Sequence, residues 1–167
     1  VTKDTNASSI LTLTGANTYT GATTITAGTL RIGNGGNTGS LSTSSAISNT
    51  ATLAFNRNDT VTQGTHFASA IGAGAGAVVQ AGTGTLVLNG ANLYTGATTA
   101  AAGTLRLDLA TGSLSSSSPL SMTGGRFEIR GNGSGTSTQT LGAMTMAART
   151  NSVIAVDPNN GTSTTLT

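Results

Sequence analysis

The sequence is short of most of what marks an ordinary soluble domain. It has no cysteine and no tryptophan, two prolines in 167 residues, 3% aromatic residues and 7% charged ones, where roughly 25% charged residues is usual. Without cysteine there are no disulfides and no thiolate metal sites. Seven Lys and Arg stand against five Asp and Glu, scattered singly from Lys3 to Arg149. A net charge of +2 spread in this way makes no phosphate-tracking stripe, so no nucleic acid is expected as a partner. No apolar run approaches the roughly 18 residues that span a bilayer as a helix, so no membrane insertion is expected of this segment. No signal peptide opens the chain, and a start at Val1 reads as a cut inside something longer.

What is abundant is glycine, serine, threonine and asparagine. The 24 glycines argue for frequent turns between short segments, because Gly inside a helix costs about 1 kcal/mol relative to Ala. Hydroxyls, amides and bare backbone must keep this surface wet, since charge does not. A content of 36% hydrophobic residues supports a thin core.

The strongest pattern is an internal copy. Gly15 to Ile32 returns as Gly90 to Leu107, with 14 of 18 positions identical at an offset of 75 residues; the four differences are Thr18/Leu93, Ile25/Ala100, Thr26/Ala101 and Ile32/Leu107. Self-similarity on this scale marks a repeat architecture. Around the first copy, Leu11-Thr12-Leu13 alternates before a Gly-Ala-Asn turn, Thr23–Thr26 is a β-branched segment ended by Ala27-Gly28, and Leu30 and Ile32 face one way with Arg31 opposite. Three short strands in about twenty residues suit a coil better than a sandwich. Two apolar ladders support this: Ile25, Ile47, Ile71, Ala100, Leu120, Met144, and Ile32, Phe55, Val79, Leu107, Ile129, Ile154. Each crosses the 75-residue repeat in three intervals, which predicts an all-β solenoid of six to seven rungs of roughly 25 residues, about 30 Å long. The whole chain, 1–167, reads as one such segment of a larger protein, with internal repeats near 11–85 and 86–160. Gly72–Ala77 is expected to be a tight corner.

The run Gly82-Thr83-Gly84-Thr85-Leu86-Val87-Leu88-Asn89-Gly90-Ala91-Asn92-Leu93-Tyr94-Thr95-Gly96-Ala97-Thr98-Thr99, followed by Ala102-Gly103-Thr104-Leu105, resembles the autotransporter-associated β-strand repeat, also called the passenger-associated transport repeat. Leu11 to Ile32 resembles it equally, without the leading Gly-Thr-Gly, and the second copy departs in having Ala100-Ala101 where a β-branched pair is usual. The resemblance implies a right-handed parallel β-helix within a large secreted or cell-surface bacterial protein, often an autotransporter passenger. It implies no single activity.

Candidate sites are few. Tyr19 and Tyr94 recur with Asn17 and Asn92; tyrosine stacks on sugars, yet an Asn-x-Tyr at a turn also covers the corner of a coil, with its hydroxyl in water. Arg31 and Arg106 repeat and face outward, and Arg126, Glu128 and Arg130 share one face by alternation. Together Tyr19, Tyr94, Arg31, Arg106, Arg126 and Arg130 are the candidate binding residues, for a surface glycan or protein, against the ordinary reading of a solvated face. For catalysis, His66 with Asp59 and Ser69 matches no triad order. Asp108 and Glu128, 20 residues apart, are the one carboxylate pair that adjacent rungs could bring together. Gly33–Asn37 and Asp157–Gly161 look like cation loops but carry zero and one carboxylate, so they read as turns. No catalytic residue, metal or cofactor is expected. The expected role is a secreted or surface-exposed stalk that serves adhesion or display. A glycan- or self-binding module is the alternative, with self-association through the β-helix ends or edges, and a polysaccharide-degrading enzyme is third.

Overall fold

A computed structural model describes residues 1–4, 6–148 and 150–167. Among these, every regular element is a strand and every strand pairing is parallel. The chain winds through three faces in fixed order. The first turn contributes β1 (Thr2–Lys3) and β2 (Ile10–Leu13); the second, β3 (Thr23–Ile25) and β4 (Thr29–Ile32); the third, β5 (Ile47–Asn49), β6 (Thr52–Phe55) and β7 (Thr60–Thr62). Then follow β8 (Ala77–Gln80) and β9 (Thr85–Leu88), β10 (Thr98–Ala100) and β11 (Thr104–Asp108), and β12 (Leu120–Met122) and β13 (Arg126–Arg130). The last turns hold β14 (Thr136–Gln139), β15 (Met144–Met146), β16 (Val153–Asp157) and β17 (Ser163–Leu166).

The second face is the continuous one, with strands in the order β2-β4-β6-β8-β10-β12-β15, hence seven turns. The third stacks β7-β9-β11-β13-β16, and the first stacks β1-β3-β5 and, through the Ile47–Ile71 bridge, runs on into the chain around Ile71 and Gly74. Partners along the second face run Leu11, Leu30, Leu53, Val78, Thr98, Leu120, Met144. Six steps carry the chain from Leu11 to Met144, about 22 residues each. The solenoid is therefore as the sequence predicts, with a shorter turn.

That difference changes how the two copies are placed. β2 and β4 of the first copy lie on the second face, whereas their counterparts β9 and β11 lie on the third. Likewise β3 belongs to the first face and its counterpart β10 to the second. Strand β8 marks the handover, pairing with β6 below and β10 above. The 75-residue repeat is thus three turns plus one face, not the three rungs expected.

The predicted ladders hold at four steps: Ile47 meets Ile71, Ile32 meets Phe55, Leu107 meets Ile129 and Leu120 meets Met144. Elsewhere they slip. Ile25 lies beside Asn49, Phe55 beside Gln80, Ala100 beside Met122 and Ile129 beside Val156. Inward positions here are filled as readily by Thr23, Asn49, Gln80 and Thr98, all buried, as by leucine.

Those polar residues serve the corners. Buried amide groups must find partners, and Gln80 Nε2 donates to the carbonyls of Gly82 and Gly84, both at 2.9 Å, while Asn49 Nδ2 donates to Ala77 O at 2.9 Å. Between them run the apolar columns, with Leu30, Leu53, Phe55, Val78, Leu86, Leu105, Leu107 and Phe127 all fully buried. Phe55 and Phe67 pack with ring centroids 4.7 Å apart. At the corners one turn's backbone passes directly over the next, and Gly72–Gly76 is such a corner, folded against the Asn49 backbone and side chain.

The equivalent glycines Gly21 and Gly96 make the dependence testable. A Cβ on Gly96 would collide with the backbone of Ala75 and Gly76 in the turn beneath, whereas nothing lies near Gly21 in the first turns. Gly96→Ala should cost about 1–3 kcal/mol and Gly21→Ala less than about 0.5 kcal/mol in urea unfolding. Equal losses would contradict this account.

Candidate functional site

The repeated motif forms a corner whose polar side chains turn inward. Tyr94 is fully buried, with its hydroxyl oxygen 2.7 Å from Thr98 Oγ1, which lies 3.0 Å from Ser118 Oγ; that hydroxyl donates to Gly96 O at 2.8 Å. The first copy repeats the chain: Tyr19 Oη to Thr23 Oγ1 at 2.8 Å, Thr23 to Ser45 Oγ at 2.8 Å, and Ser45 to Gly21 O at 2.8 Å. The relay spans two successive turns and closes on a motif glycine. Tyr94 bridges to Gly74 of the turn beneath and is covered, while Tyr19, in the first turns, stays half-buried against the core.

This corrects the expectation that Tyr94 sits on the outer surface with its hydroxyl in water. No stacking face is open at Tyr94, and its donor is spent. Burial pushes the Tyr94 phenol well above its ordinary range, opposed by the bond to Thr98.

Asn92 is equally enclosed. Its Nδ2 donates to Gly90 O at 2.8 Å, and its Oδ1 accepts from Gln63 Nε2 at 2.7 Å and from Ile71 N at 3.0 Å. In the first copy Asn17 Nδ2 donates to Gly15 O and Ser40 O at 3.0 and 2.8 Å. The Asn-x-Tyr signature therefore fastens one turn to the next.

The arginines do not gather with the tyrosines. Arg31 is on the second face, where Nε donates to Thr12 Oγ1 at 3.2 Å and Nη2 to Asn34 Oδ1 at 3.1 Å. Arg106 is on the third face and pairs with Glu128 at 2.8 Å. The single outer face expected to bear Tyr19, Tyr94, Arg31 and Arg106 does not exist, because the extra third of a turn moves the second copy to the neighbouring face.

What the structure does bring together is the outer side of β11, β13 and β16. Arg106 lies beside Glu128, Asp108 beside Arg130, and Arg130 beside Asp157. Glu128, largely buried, takes Arg106 at 2.8 Å and Arg126 at 3.5 Å, and Arg130 lies 3.9 Å from both Asp108 and Asp157 while Nη2 donates to Asn159 Oδ1 at 2.5 Å. Three cations thus interleave with three anions. The shared face expected of Arg126, Glu128 and Arg130 is present, and Arg106 joins it from the neighbouring turn, with the charge neutralised internally; exposed pairs of this kind contribute about 0–1 kcal/mol each.

The catalytic candidates are dispersed. Asp59 is held by Arg57 through two bonds, 2.8 and 2.6 Å, and this lowers its carboxyl below the ordinary range. His66 Nδ1 accepts the amide of Thr62 at 3.1 Å within its own turn. Asp108 and Glu128 do lie on adjacent strands, each committed to an arginine. Asp157 Oδ1 caps the following turn by accepting Asn159 N at 2.8 Å. An apolar groove of about 190 Å³ at the last turn is lined by Leu120, Leu141, Gly142, Met144, Leu166 and Thr167, with no titratable side chain among them.

Residues that sequence reasoning missed are the buried polar ones. Arg57 is buried, donating from Nη1 to Gly39 O at 2.6 Å and so tying the third turn to the second. Gln63 and Gln139 serve neighbouring turns in the same way: Gln63 Oε1 accepts Gly90 N at 2.9 Å, and Gln139 exchanges bonds with the backbone of Leu114 at 3.1 and 2.9 Å. Only Gln63, beside Gly64, carried a sequence signal, since Arg57 and Gln139 have no neighbouring glycine.

Replacing Tyr94 by Phe tests the relay through pH. A phenol whose folded pKa is raised contributes its full stability below about pH 10, the unfolded value, and loses it above. Wild-type protein should therefore lose stability above pH 10 at up to about 1.4 kcal/mol per pH unit. Tyr94→Phe should remove that slope at a cost of about 1 kcal/mol at neutral pH. Denaturant midpoints across pH 7 to 11.5 (roughly one and a half units beyond the free phenol) would measure both, and an unchanged slope would refute the burial of Tyr94.

Comparison with known proteins follows these corners. The passenger-associated-transport-repeat family matches residues 8–32 and 78–107, the two stretches that hold the Tyr-Thr pairs and the glycine on which each relay closes, the serines coming from the following turn. A 52-residue stretch is 54% identical to the adhesin BmaC autotransporter of Brucella suis biovar 1 (strain 1330), covering 31% of this chain and 2% of that protein. No solved structure matches. Two stretches of the chain are thus similar to the passenger-associated transport repeat, and both fold as strands and corners of one parallel β-solenoid.

Proposed function

We propose that this chain is a stalk and display segment of a secreted or cell-surface autotransporter passenger serving adhesion. The observation that carries the reading is that the family's repeat is spent inward. Its Asn, Tyr, Thr and Gly residues bond turn to turn, so what the repeat specifies is a rigid coil rather than a ligand site. The similarity to an autotransporter adhesin supports surface display as the setting. A non-catalytic role is favoured by the commitment of Asp59, Asp108 and Glu128 to arginines.

A second reading has one observation in its favour. The ion-paired third face leaves the Arg126 side chain 44% exposed, so adhesion by this segment itself would run through Arg126 and its neighbours Arg106 and Arg130. Binding of the purified chain to a glycan panel and to immobilised host cells separates the two. A stalk binds neither and releases no reducing ends from polysaccharides. Saturable binding lost on Arg126→Ala would replace the stalk by an adhesin module, and Tyr94→Ala is unsuited as the control because it opens the core.

A further inference from the structure

Four Asn-Gly pairs occur in the chain, at Asn34, Asn89, Asn132 and Asn160. In such a pair the glycine amide nitrogen can attack the asparagine Cγ, because no side chain on the following residue hinders the approach. The fold treats the four differently. Gly35 N donates to Asn56 O at 2.8 Å, and Asn34 Oδ1 is also held by Arg31. Gly90 N donates to Gln63 Oε1 at 2.9 Å in a half-buried corner. Gly161 N donates to Pro158 O at 2.8 Å. A donated amide proton must first give up its bond before the nitrogen can act as a nucleophile.

Asn132-Gly133 is the exception. It lies in the corner between β13 and β14, Asn132 is exposed, and the Gly133 amide makes no hydrogen bond among the described residues. The side chain is already turned back on its own backbone: Asn132 Oδ1 accepts Ser134 N at 3.0 Å. That bond holds Cγ against the following peptide and draws electron density from the amide carbonyl, the arrangement an intramolecular attack requires. The ends of the turn are fixed, since Asn132 N donates to Ser137 Oγ at 3.0 Å.

We infer that Asn132 is a site of self-modification in the folded protein, by succinimide formation and hydrolysis. The Gly133 nitrogen loses its proton and bonds to Asn132 Cγ, the Cγ–NH₂ bond breaks, and ammonia leaves with that proton. Water then opens the ring at either carbonyl, giving aspartate or isoaspartate at 132. Either product adds a negative charge two residues from Arg130, and isoaspartate also lengthens the backbone by one methylene in the corner that launches β14.

Ageing the intact protein at 37 °C (a temperature typical of the mild conditions where only exposed turns open) and mildly alkaline pH, followed by tryptic peptide mass spectrometry, tests this. The peptide Gly131–Arg149 carries Asn132 as its one asparagine. Asn132 should deamidate at least about tenfold faster than Asn34, Asn89 and Asn160, the factor that about 1.4 kcal/mol of protection supplies. In denaturant the four should converge. Native rates that do not favour Asn132 would overturn the inference, as would a preference for Asn132 that persists unchanged in the unfolded chain. Isoaspartate methyltransferase labelling should mark the same peptide, and Asn132→Gln should abolish it while the other three sites age as before.

Discussion

Every turn of this molecule is held by the backbone of the turn beside it. Strands such as β11 have few contacts within their own turn and rely on full parallel ladders with β9 below and β13 above. That makes the closeness of successive turns the governing constraint, and the unusual composition follows from it. At corners the two chains come so near that a Cβ has no room at Gly82, Gly84, Gly90 or Gly103, and backbone groups left facing inward must be met by buried side-chain amides: Asn49, Gln80 and Asn92 donate to carbonyls, and Gln63 accepts the Gly90 amide. An unpaired buried group would cost about 1–3 kcal/mol, so these amides bear on register as much as the leucines do.

The same constraint explains why the repeat shifts face. The Tyr94 corner rests on Gly74 of the turn beneath, and β8 joins the two copies within one sheet by pairing with β6 below and β10 above. As the copy advances three turns and a third, residues that match in sequence come to point in different directions. Arg31 and Arg106 occupy matching positions and look out from neighbouring faces. A sequence repeat in a solenoid is therefore no guide to a linear binding stripe unless its length is a whole number of turns.

The architecture was legible from sequence because it rests on signals that survive locally: glycine spacing, short alternating strands, and the 75-residue copy. Ladder pairs such as Ile32–Phe55 and Leu107–Ile129 were readable from the same local alternation, whereas Ile25 and Ile47, equally apolar, fall two residues out of register. The turn length was not, because it was measured by apolar residues alone, and Gln80 stands where Phe55 requires a partner. Tyr94 was misplaced by a related assumption, that a polar tip seeks water. Here Thr98 and Ser118 provide a dry relay for it, and no spacing rule exposes that, because Ser118 comes from the following turn and meets Thr98 only once the coil has closed.

The scarcity of charge then takes on a definite sense. In a globular domain, charged residues decorate surfaces that face only water. In this coil even outward side chains lie about 4.8 Å from equivalents above and below, so an isolated charge meets its neighbours in stacked register. The third face tolerates six charges because they alternate: Arg106 beside Glu128, Asp108 beside Arg130, Arg130 beside Asp157. On the second face, Arg31 is the one charged side chain among the outward positions of its paired strands, and it is flanked by Thr12 and Ala54. A surface built from hydroxyls and small residues lets turns stack without electrostatic preference. That neutrality fits the stalk role proposed above, in which the coil extends simply by adding turns.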